Sequence, residues 1–270
     1  MPRLSWSALR RSCLAAGVLA LCACASPQEP VQRYALIVAS PDRAAADRIN
    51  DERRKPAEML AFIGVRPGIT ALDVSAGRGY TTELLARATG PGGRVYGQRP
   101  PAAATAAPAA QPEGLTAPRS AAAATAPMPA LAERVARFGN MVAVTRPFED
   151  PAPPELANGG FDLVTLMFNY HDLGHLRVDR DAMNRAIFRA LKAGGLYVIA
   201  DHSGRPGTGI SESGTLHRVE EDLVVREVLA AGFRLLARGD FLRNPQDPRD
   251  RNTPEPPMPK DEFVLKFVKP

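Results

Sequence analysis

The sequence predicts a doubly wound α/β domain built on a mainly parallel sheet. Three observations carry that expectation. Short apolar segments alternate with helical ones for most of the chain. A glycine-rich turn joins the first of these segments to the helix after it. One run, Phe161-Asp-Leu-Val-Thr-Leu-Met-Phe168, is apolar almost without interruption, as a strand covered on both faces should be. With 270 residues, 45% of them hydrophobic, the chain has enough material for one large domain with a full core.

Taken in order, Asp42 to Ile63 has a helical pattern, with Asp42 as N-cap and Pro56 dividing it in two. Thr70 to Val74 reads as a strand, Tyr80 to Thr89 as a helix, Gly90 to Gly93 as a turn and Arg94 to Gly97 as a second strand. Residues 99–130 are almost all Ala, Pro and Thr, without periodicity, and read as a surface insertion. Leu131 to Phe138 resumes as a helix and Met141 to Thr145 as a strand. After the apolar run come a helix from Asp181 to Leu191, a glycine turn, a strand from Leu196 to Ala200 and a helix from His217 to Ala231. Phe233 to Ala237 and Glu262 to Val268 close the pattern as strands.

The first 25 residues read as an export signal. A basic stretch, Met1 to Arg11, precedes the apolar run Leu14 to Leu21, far shorter than the roughly 20 residues that span a bilayer. Leu21-Cys22-Ala23-Cys24 resembles the lipobox of bacterial lipoproteins, which would make Cys24 a lipid anchor and the only link to a membrane. Ala23-Cys24-Ala25 alternatively fits ordinary signal peptidase, and an uncut anchor is a third reading. Residues 26–41 read as a tether, and 42–270 as the folded domain. The expected location is the periplasm or the membrane surface of a bacterial envelope. All three cysteines lie in the signal, so the domain offers no disulfide, thiolate nucleophile or cysteine metal ligand. The net charge of +5 includes three arginines of that segment. No basic stripe interleaved with aromatics appears, which argues against a nucleic-acid surface.

The chemistry concentrates in two stretches. In Ala71-Leu-Asp-Val-Ser-Ala-Gly-Arg-Gly-Tyr80 a strand ends, the backbone turns tightly at Gly77 and Gly79, and a helix opens with its N–H groups facing outward. Asp73 can accept from a ligand's ammonium or fix the loop. The stretch resembles motif I of class I S-adenosylmethionine-dependent methyltransferases, an acid followed by Gly-x-Gly-x-Gly, with Ser75 in place of the first glycine. Gly90-Pro-Gly-Gly-Arg-Val-Tyr96, Phe161-Asp-Leu-Val164 and Leu191-Lys-Ala-Gly-Gly-Leu-Tyr-Val-Ile199 resemble the entries to that family's second, fourth and fifth strands, in the same order. The likeness also extends to a group of exported bacterial proteins that share the Asn-Tyr-His-Asp and Asp-His-Ser stretches.

The resemblance implies the Rossmann-like class I methyltransferase fold with an antiparallel final strand, and S-adenosylmethionine as cofactor. Asp73, Ser75, Ala76, Gly77, Arg78, Gly79 and Tyr80 would cradle its methionine end. Gln98 would stand where an acid normally reads the ribose, with one hydrogen bond given and one accepted. Glu149 or Asp150 would read the adenine, although Phe148-Glu-Asp-Pro151 also reads as a plain turn.

The second stretch, Asn169-Tyr-His-Asp172, follows the fourth strand, and Asp201-His202 follows the fifth, so both belong to the sheet edge where ligands bind. His171, oriented by Asp172, is the expected base, with His202 beside it and Asn169 toward the cofactor. A divalent ion held by two or three histidines with Asp172 and Asp201 is a weaker alternative, and no metal is assigned. The expected activity is methyl transfer to a small or envelope-associated acceptor. The competing expectation is a non-catalytic binding or scaffold protein on the same fold, since an exported chain is separated from cytoplasmic cofactor.

Overall fold

The computed structural model describes residues 28–101, 129–252 and 258–270. The expected signal segment and the interior of the Ala/Pro insertion lie outside the described residues. Three helices come first: α1 (Gln28–Val38), α2 (Ala45–Arg54) and α3 (Pro56–Ile63). Then follow β1 (Thr70–Val74), α4 (Tyr80–Thr89), β2 (Arg94–Arg99), α5 (Leu131–Arg137) and β3 (Met141–Thr145). The second half holds β4 (Phe161–Met167), α6 (Asp172–His175), α7 (Arg180–Ala190), β5 (Leu191–His202), α8 (Glu221–Ala230), β6 (Arg234–Gly239) and β7 (Glu262–Val268).

The seven strands form one sheet in the order β3-β2-β1-β4-β5-β7-β6. β1 to β5 are parallel, and β7 runs antiparallel to both β5 and β6. Alternation along each strand sends neighbours to opposite faces. Ala71, Leu163, Val198 and Val264 join one core with residues of α1, α3, α4 and α5. Leu72, Val164, Ile199 and Leu265 join a second core against α7 and α8. Both faces are covered, which is why β4 is apolar at nearly every position. The expected fold class, final antiparallel strand included, is the observed one.

Local differences have physical reasons. Where the sequence suggested a tether, Gln28–Val38 forms α1. Tyr34, Ile37 and Val38 share a helical face that joins the first core, and the Tyr34 hydroxyl donates to the Val65 carbonyl. The break at Pro56 arises because the residue before a proline avoids the right-handed helical region. Lys55 takes a left-handed φ of 41°, and Pro56 restarts the chain at the first position of α3. Asp42 does not cap α2. Its carboxylate binds Arg87 instead, and Ala44 stands at the cap. His217 does not open α8; it sits in the loop before it, with a left-handed φ of 51°.

Three groups buried together tie the first helices to the sheet. Arg134 of α5 is fully buried and donates to both oxygens of Asp47 on α2, at 2.7 and 2.8 Å, and to Glu83 on α4. Its Nε also donates to the carbonyl of Arg78, at 2.8 Å, and so fixes the loop after β1. A buried charge is tolerated only with such complete pairing.

Candidate functional site at the carboxyl edge of the sheet

Two adjoining sites occupy the edge where β1, β4 and β5 end. The first is a cleft of about 500 Å³ lined by Asp73, the loop Ser75 to Arg78, Tyr80 and Thr81, by Met167 and Asn169 at the end of β4, and by Asn50 and Arg54 of α2. A pocket of about 320 Å³ opens beside it among Met59, Leu60, Ile63, Leu84 and Phe168. These apolar residues border the cleft at Arg54, Tyr80, Thr81 and Met167.

The loop after β1 owes its course to backbone geometry. Ser75, Gly77 and Gly79 all take left-handed φ values, 59°, 54° and 88°. Serine is strained there by roughly 1–2 kcal/mol relative to an unstrained residue, which accounts for the glycine found at this place in the motif the stretch resembles. A Cβ on Gly77 would meet nothing nearer than the Ser75 carbonyl at 4.0 Å, so the space before it is open to a ligand. One on Gly79 would strike Arg134 and Leu131 at 2.9 Å, so that glycine serves packing.

Asp73 is buried at the back of the cleft and accepts from the hydroxyls of Thr82, at 2.6 Å, and Thr165, at 2.8 Å. Burial pushes its carboxyl up to about 6 against these two hydrogen bonds. A cation in the cleft would favour its charged form, so the pair of an acid and an open glycine loop fits the ammonium end of an amino-acid-like ligand. Tyr80 turns its hydroxyl to Asp51, at 2.7 Å.

Three residues expected to contact the cofactor are engaged elsewhere. Gln98 is fully buried: its Oε1 accepts from the Ser75 N–H at 2.9 Å, and its Nε2 donates to the Arg146 carbonyl at 2.6 Å. It braces the loop rather than reading a ribose. Glu149 accepts from the N–H of Asp179, and Asp150 pairs with Arg146. Neither lines the cleft.

The second site lies behind Asn169, whose amide donates to Asp172 Oδ2 at 2.8 Å. All four histidines of the chain gather here. Ring centroids of His171 lie 5.4 Å from His202 and 5.6 Å from His217, and His217 lies 6.0 Å from His175. His171 is gripped by Asp201, which accepts from its backbone N–H at 2.7 Å and faces its Nδ1 at 2.6 Å. The other ring nitrogen, Nε2, stands 3.1 Å from Asp172 Oδ1. His202 Nδ1 faces Glu262 at 3.0 Å, and Glu262 in turn receives Arg53 of α2 at 2.5 Å.

These contacts enclose His171, the residue expected as base. Burial disfavours its charge, but the Asp201 carboxylate and the bond to Asp172 overcome that and raise it to about 10. Its side chain is only 1% exposed. Asp172, opposed by burial but held by the bonds from His171 and Asn169, falls to about 2. Asp201 at Nδ1 and Asp172 at Nε2 hold the ring from its two sides. His202 is equally enclosed and supports the site from within. His217, its pKa lowered by burial and by neighbouring His171, reaches the surface. Arg134, Glu262 and His175 also belong to these sites, and the signal in the sequence for His175 is its H-x-x-x-H spacing from His171.

No family model matches the chain, and no curated protein matches its sequence. Its fold is nevertheless shared with solved structures. An S-adenosylmethionine-dependent methyltransferase from Aquifex aeolicus is 17% identical, with 91% of this chain and 99% of that one covered at a TM-score of 0.55. The 4+2 cyclase SpnF is 16% identical, covering 81% of this chain and 80% of its own at 0.53. The architecture is that of the class I methyltransferase-like proteins; at such identities the likeness is one of fold.

Proposed function

We propose that this chain binds S-adenosylmethionine in the cleft between β1 and β4 and transfers its methyl group to a small or envelope-associated acceptor. The observation that carries the reading is the cleft itself. An open left-handed glycine loop and a buried acid meet Asn169 at the edge of a sheet with this strand order, where the cofactor-binding end belongs in open α/β folds. Asp73, Ser75, Ala76, Gly77 and Arg78 would hold the methionine end, with Asn50, Arg54 and Asn169 around it. The cofactor supplies the electrophilic methyl; the apolar pocket by Phe168 suits the hydrophobic part of an acceptor. The export signal, with lipidation at Cys24, would place this activity in a bacterial envelope.

A second reading, a binding or scaffold protein without methyl transfer, is favoured by one observation. Gln98 spends its amide on the loop, so the ribose lacks the acidic clasp that the family's pattern supplies at this place. The fold also serves other chemistry, as the cyclase shows, and does not fix an activity. Calorimetric titration of the purified protein with S-adenosylmethionine and with S-adenosylhomocysteine separates these possibilities. Micromolar binding, weakened at least tenfold by Asp73→Ala, supports the cofactor reading. No heat at millimolar ligand removes it.

A further inference from the structure

We propose that the histidine cluster binds one divalent transition-metal ion through His171 Nε2, Asp172 Oδ1 and the imidazole of His217. The three side chains bring ligand atoms within 4.8 Å of one another. These separations are those of a coordination sphere already half assembled. His171 Nε2 lies 3.1 Å from Asp172 Oδ1, and His217 Nδ1 lies 3.4 Å from the same oxygen. Donors about 2.0–2.1 Å from a tetrahedral ion are separated by about 3.3 Å. Two nitrogens and one carboxylate oxygen form a donor set that suits zinc and its neighbours in the first transition row better than magnesium or calcium.

The surroundings support the same assignment. A metal-ligating histidine generally gives its remaining ring N–H to a carboxylate or carbonyl, which fixes the ring and raises its basicity. His171 does this with Asp201, a residue fully buried and bonded to the His171 backbone as well. Asp172 is steadied on its other oxygen by Asn169. His217 is held at a strained left-handed φ of 51°, where the loop before α8 turns its ring toward Asp172. Two carboxylates facing one imidazole provide the negative charge that a dication would balance. The cluster opens to solvent only on the side of Asp172, His175 and His217, whose side chains are 17%, 25% and 23% exposed.

An ion held by three protein donors keeps a position for water or for an oxygen-bearing substrate. Asn169 links this position to the cleft, since it lines the cleft and bonds Asp172. The proposal stands apart from the cofactor reading, because none of its ligands belongs to the loop after β1.

The test uses the full chain stripped with chelator and titrated with zinc chloride alone, by calorimetry and by elemental analysis after dialysis. One zinc per chain with submicromolar affinity is expected. Asp172→Asn and His217→Ala should each weaken it at least tenfold, and the unfolding of His217→Ala in chelator stays close to that of the parent. Cobalt loading gives a second readout: a visible absorption band in the parent that His217→Ala diminishes. Failure to take up a stoichiometric ion at micromolar zinc overturns the proposal. So does unchanged affinity in a folded His217→Ala protein. Neither result depends on whether S-adenosylmethionine binds.

Discussion

The two halves of the sheet edge use polar residues in opposite ways. On the β1–β2 side nearly every polar group is spent on the scaffold. Asp73 takes two threonine hydroxyls, Gln98 joins the loop to β3's exit, and Arg134 binds two acids and a carbonyl. On the β4–β5 side four histidines and three acids face one another. Asp172, His175 and His217 reach the surface. A ligand on the first side therefore meets backbone shape and one buried acid, whereas a ligand on the second meets charge and imidazole. Groups beyond what the fold needs point to chemistry; groups fully consumed by it point to stability.

This contrast makes the first side the sensitive one. Arg134→Ala should have the largest effect, since it strands Asp47 in the core and leaves Glu83 only its pair with Arg87; about 3–5 kcal/mol of unfolding free energy should be lost in urea titration. Asp73 should come next, and with a pH signature. Its carboxyl is raised from 3.8 to about 6, so the stabilisation linked to its proton is fully present below about pH 4 and lost as pH rises through 6. Measured against Asp73→Asn, the parent should lose about 3 kcal/mol between pH 4 and 7. A flat difference would show that Asp73 is ionised throughout.

Gln98→Ala, by leaving the Ser75 N–H and the Arg146 carbonyl without partners, should cost about 1–3 kcal/mol. If it instead left stability intact and abolished cofactor binding, the glutamine would be a ligand-reading residue after all. Ser75→Gly should move the other way, gaining about 1 kcal/mol by relieving the left-handed serine. Smallest of all should be His217→Ala, within about 0.5 kcal/mol of the parent in chelator. A large loss there would make the second side structural too and erase the contrast.

Much of the fold was legible because each strand and helix declares its own period. β1, α4, β3 and β7 begin and end where their residues predict. The glycine loop was legible for the same reason, since φ is a local property. What escaped the sequence was pairing across distance. Gln98 looks like a rim residue at the end of its strand, and only the neighbouring β3 reveals that Arg146 takes its amide. His171 looks like a base until Asp201, thirty residues on, is seen to hold its ring. The Glu262 partner of His202 lies on the last strand, and no local pattern connects them. α1 was missed for a simpler reason: a short helix carrying a proline offers few turns from which to read a period.

The antiparallel placement of β7 has a consequence for how the molecule is made. Glu262 opens the last strand, yet it holds His202 and grips Arg53 of α2 near the start of the described chain. While the protein is being synthesised, the ribosome delivers Arg53 209 residues before Glu262, so no nascent chain that lacks β7 can carry the finished histidine cluster. The parallel half can assemble beforehand, leaving an open slot between β5 and β6. Completion of the second site thus reports arrival of β7. A chain truncated before β7 would keep the glycine loop and lose the ordered imidazoles, a difference visible in the histidine ring resonances of the two proteins.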